Sequence, residues 1–75
     1  MGMDKQEKII KARATLVSKI PYLDYNYGRY HALTRAAVAG DLEAFLGAGK
    51  HETHLTDFCV SDLCDIAAEA MRGAA

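Results

Sequence analysis

His51, His54, Cys59 and Cys64 fall within fourteen residues as H-x2-H-x4-C-x4-C, and imidazole and thiolate are the ligand types that zinc takes. The spacing works against a shared ion. On a continuous last helix Cys59 and Cys64 point about 140° apart, and no Cys-x2-Cys knuckle is present. No metal is expected, and the two cysteines read as free thiols packed as small hydrophobes. A second set, Asp24, Tyr27 and His31, has acid-base character, with Tyr27 and His31 one turn apart if their helix begins early. Seventy-five residues leave little room for a water-excluding pocket beside a core, and no phosphate loop or nucleophile motif occurs. The expectation is a protein without catalytic residues or cofactor.

The remaining chemistry-bearing residues suit contact better than reaction. Tyr22, Tyr25, Tyr27 and Tyr30 lie in nine residues, interleaved with Arg29 and His31. Tyrosine is half apolar and half polar, which favours it in interface cores and, beside arginine, on unpaired bases. Tyr27 and Tyr30 can instead close the core while the others cover the end of the first helix. Phe58 has two placements as well. On a continuous helix it projects from an acidic stripe of Asp62, Asp65 and Glu69; an N-cap at Ser61 frees it to turn inward, and that placement is preferred. Tyr22, Tyr25, Tyr27, Arg29, Phe58, Asp62, Asp65 and Glu69 form the expected partner-binding set.

Charge is divided along the chain. Residues 1 to 35 hold seven Lys or Arg against three acids, and residues 36 to 75 hold two against seven, for a total of only −1. The halves then neutralise each other within the fold or across a dimer, or they offer opposite potentials to different partners. A nucleic-acid alternative would use Lys5, Lys8, Lys11, Arg29 and Arg35. Leu42 to Leu46, the helix after the Asp41 turn that would have to be the reader, has no basic side chain, and the helix following it is acidic.

These residues need elements to carry them. A helix from about Asp4 to Ser18 or Lys19 is expected, with Leu16, Ile9, Ile20, Val17, Ile10, Met3 and Ala14 in one arc and the lysines behind. Gln6 and Arg13 intrude on that arc, where the Arg13 charge needs a partner or an escape to solvent; an acid across a dimer interface would serve. Pro21 closes this helix; Tyr22 to Gly28, with Asp24, Asn26 and Gly28, reads as largely irregular. A second helix runs from about Arg29 to Ala39 with Gly40 as its left-handed cap, and Asp41 caps a short helix from Leu42 to Leu46 that ends at Gly47-Ala-Gly. Thr53 or Thr56 caps a last helix reaching Met71 or Arg72, whose apolar half includes Leu55, Cys59, Val60, Leu63, Cys64, Ile66, Ala67, Ala70 and Met71.

The stretch Leu33 to Gly49 resembles the helix, turn and helix of a single ankyrin repeat. It occurs once, and repeat folds need several copies, so the likeness is one of helix-capping grammar. With no alternating strand pattern, the chain is expected to be one all-α domain over 1–75. Its form would be a compact bundle of three main helices plus one short one that self-associates to enlarge a small core. It has no signal-like leader and no long apolar run, which points to the cytoplasm. The function expected is that of an adaptor or inhibitor binding another protein, as a homodimer.

Overall fold

The structure, a computed structural model, describes residues 4–52 and 57–72, with backbone only at 51 and 52. It is all-α, with five helices among the described residues: α1 (Lys5–Ser18), α2 (Ile20–Tyr25), α3 (Tyr27–Ala39), α4 (Leu42–Glu52) and α5 (Phe58–Arg72). The bundle measures 40 × 20 × 17 Å along its principal axes. No helix among the described residues is long and apolar enough to cross a membrane.

Local chemistry sets most of the boundaries. The Asp4 carboxylate accepts the Glu7 amide at 2.8 Å, satisfying one of the free N–H groups that open α1. At the far end Lys19 closes the helix through its own N–H on Leu16 and Val17. Pro21 then lies in the first turn of α2, where a missing N–H costs nothing. Gly40 adopts φ 68°, and the Asp41 amide reaches back to the Ala36 carbonyl at 3.0 Å, the 6→1 bond that seals α3. Asp41 in turn accepts the Ala44 amide at 2.9 Å and starts α4.

The expected three main helices and one short one are corrected to five. Tyr22 to Gly28 is helical on either side of a break at Asn26, and α4 runs past Gly47 and Gly49 instead of stopping there. The second extension has a visible cause. A β-carbon on Gly49 would lie 2.6 Å from Cys64 Sγ, so α4 and α5 pack backbone against side chain at that point, and tertiary contact overrides the low helix propensity of glycine.

Leu16, Leu23, Tyr30, Leu33, Phe45, Val60 and Leu63 fill the centre, spaced by Ala12, Ala36, Ala37, Ala67 and Ala70. α3 packs on α2 and α4, α5 on α4 and α1, and α1 also touches α3. Wedged between α5 and α3, α1 turns Ala12 and Leu16 inward. The arc expected for it is too wide for this gap, and Ile10 and Val17 remain 58% and 51% exposed, with Ala14 beside them. Arg13 needs no acid from another copy: its Nε donates to the Gly40 carbonyl at 2.8 Å, placing a cation at the negative end of α3. Gln6 is exposed, and Met3 lies outside the described residues.

Candidate interaction surface

The tyrosine cluster is organised by an acid that lies outside the expected set. Asp57 caps α5, its Oδ1 accepting the Val60 amide at 3.2 Å. The same carboxylate accepts the Tyr30 hydroxyl and, at 3.1 Å on Oδ2, the Tyr22 hydroxyl. Tyr30 is buried, and its backbone leaves helical geometry at φ −122°, ψ 35°, bending α3; Thr34 Oγ1 donates to its carbonyl at 2.8 Å. The Arg29 guanidinium stands 5.5 Å from the centre of the Tyr30 ring.

Protonation follows from this arrangement. Burial, the bond to Asp57 and the carboxylate charge push the Tyr30 hydroxyl up to about 12. The same causes raise Tyr22. Burial alone would raise Asp57, but the Tyr30, Val60 and Tyr22 donors with the Arg29 charge outweigh it and hold the carboxyl below its ordinary value. Asp57 is therefore an anion pinning two tyrosines from different helices to the head of α5.

Around this pin the surface is aromatic. Tyr25, one turn beyond Tyr22 on α2, is 89% exposed, and Phe58, the residue after Asp57, is 75% exposed. The inward placement preferred for Phe58 is thus corrected: α5 begins at Phe58 itself, and Ser61 sits in its second turn with its amide on the Asp57 carbonyl. Of the two tyrosines proposed to close the core, Tyr30 does so and Tyr27 does not. Tyr27 lies on the surface, edge-on to His31 with ring centres 6.2 Å apart. Asp24 is exposed on α2.

Asp62, Asp65 and Glu69 are exposed on α5 at four, seven and eleven positions after Phe58, one stripe headed by the aromatic ring. Glu69 bonds Arg72 at 2.6 Å, and this bond, then the charges of Arg72 and Lys8, holds its carboxyl below the usual range. Asp65 and Glu69 also form one wall of a groove of about 570 Å³, whose other wall carries Lys8 and Lys11 of α1. The basic set is accordingly divided: Lys5, Lys8 and Lys11 lie on α1, Arg35 is exposed on α3, and Arg29 stands over Tyr30.

Cys59 and Cys64 are free, half-buried thiols, and burial, then Asp65, pushes the Cys64 thiol up. Thr53, His54, Leu55, Thr56 and the side chain of His51 lie outside the described residues. Among the described residues no three His, Cys, Asp or Glu side chains are grouped to hold a metal. The role of Asp57 did have a local signal, an acid directly before an apolar-periodic run. Its two tyrosine partners, 27 and 35 residues away, had none. No protein-family model, curated protein or solved structure matches this chain.

Proposed function

We propose that this chain is a non-enzymatic cytoplasmic interaction module, an adaptor or inhibitor, that acts as a homodimer by binding another protein. The observation carrying this reading is the exposure of Tyr25 and Phe58 at an end whose helices Asp57 ties together. Large aromatics anchor interfaces, and a surface rigid before contact loses less entropy on binding. Tyr22, Tyr27 and Arg29 extend the patch, and Asp62, one turn from Phe58 on α5, favours a partner with a basic face. Lys8 and Lys11, set opposite Asp65 and Glu69, weigh against the phosphate-binding alternative, since the acids repel a polyanion from the same groove.

Affinity capture from a cell lysate with the wild-type chain and the Tyr25→Ala and Phe58→Ala variants tests the reading. Each truncation is expected to weaken partner retention by tenfold or more, on the order of 1.4 kcal/mol or above, while leaving the exposed positions' contribution to folding nearly unchanged. Retention equal to wild type in both variants would remove the aromatic end from the interface. Retention that tracked Lys8→Ala and Lys11→Ala and collapsed steeply with salt would favour the nucleic-acid alternative.

A further inference from the structure

The groove between α1 and α5 has two unlike walls. Lys8 and Lys11 stand on the α1 side, Asp65 and Glu69 on the α5 side with Arg72, which bonds Glu69, at the end of that wall, and Ala12 and Ile66 contribute to an apolar floor between them. A uniformly basic partner laid here is repelled by one wall, and a uniformly acidic one by the other. A fitting occupant is amphipathic and carries the same two charges in reversed order. This chain presents such a surface itself, in the same α1 and α5 pair.

We infer that a second copy of the chain covers this groove, about a two-fold axis running along it. The inference deepens the self-association in the preceding reading and rests on it. That axis lays α1 of one copy over α5 of the other, so the lysine wall of each copy meets the acidic wall of its partner and the contact occurs twice in the dimer, as isologous symmetry requires. An axis across the groove would lay α1 on α1 and α5 on α5, like charge against like. The outer stripe of α1, Ile10, Ala14 and Val17, is a poorer seat: Arg13 and Lys11 flank it, and antiparallel pairing about its centre brings Arg13 near its own symmetry mate.

Charge reversal tests the arrangement without touching the core. Lys8→Glu/Lys11→Glu and Asp65→Lys/Glu69→Lys each set like charges face to face. Sedimentation equilibrium should show both as monomers under conditions where the wild type is dimeric, with dissociation constants raised at least about tenfold. Mixed in equal amounts, the two variants should form a heterodimer, because acids on both walls of one then face lysines on both walls of the other. Helical circular dichroism checks that each variant is folded, and Tyr25→Ala with Phe58→Ala should leave the dimer intact.

A mixture that stays monomeric, or single variants that dimerise like the wild type, would overturn the groove assignment. In the second case a dimer dissociated instead by Ile10→Asp would move the interface to the outer stripe. A wild type that is monomeric at every concentration would overturn self-association as well. Partner capture through Tyr25 and Phe58 has its own readout and stands or falls separately.

Discussion

Asp57 concentrates more of the fold's polar bonding than any residue type count would suggest, because one carboxylate serves a helix cap and two tyrosines at once. Replacing it by alanine removes the cap and strands the buried Tyr30 hydroxyl. The expected cost is about 2–4 kcal/mol in urea unfolding, against less than about 1 kcal/mol for Tyr22→Phe at its more exposed position. The pH dependence has two arms. Tyr30 is raised from 10.0 to about 12 in the fold, so its contribution is complete below the lower value and is lost as pH rises through the higher. Asp57 is lowered, so its contribution is present above the ordinary carboxyl range and fades as pH falls through the depressed value. A stability profile measured across alkaline pH should fall less steeply between these two tyrosine values in Tyr30→Phe, Tyr22 keeping its own part, and an unchanged profile would contradict the assignment.

At the scale of elements, two glycines one turn-half apart in α4 make opposite predictions. Gly47 has open space around it, so Gly47→Ala should stabilise by about 0.5–1 kcal/mol by restricting the unfolded chain. Gly49→Ala drives a methyl into Cys64 Sγ and should destabilise by about 1–3 kcal/mol. In a Cys64→Ala background that penalty should vanish, a sign of coupling that a double-mutant cycle measures directly. These positions also mark the boundary of what sequence reading reached. The start of α1 near Asp4, the Gly40 cap, the Asp41 cap and the apolar face of α5 rest on neighbours within a few residues, and they were legible. The continuation of α4 past Gly49 meets a distant partner, Cys64, and no local pattern announces it. Tyr22 to Tyr25, by contrast, had a local signal in Pro21, which suits the first turn of a helix as well as the end of one. The rotation of α1 belongs with the continuation of α4: seven apolar positions share the expected arc, and packing between α5 and α3 decides that Ile10, Ala14 and Val17 are left out. The aromatic surface was legible as composition, whereas the exposure of Phe58 depended on which residue caps α5.

Over the whole molecule the charge division found along the chain becomes a division between facing walls, basic on α1 and acidic on α5. Part of the opposition is spent inside one copy, where Arg72 bonds Glu69 and Lys8 acts on it. Under the proposed pairing the rest is spent between copies, so Tm should climb with protein concentration and the climb should flatten as salt screens the walls. A Tm independent of concentration, followed by scanning calorimetry over a wide range, would indicate that folding completes in a single chain. The bundle is twice as long as it is broad, at 40 × 20 × 17 Å. Such a rod meets more frictional drag than a sphere of equal mass and tumbles end over end more slowly. A lone copy therefore elutes slightly early for its mass from a sizing column, whereas a side-by-side pair, being rounder, elutes close to the position its mass predicts.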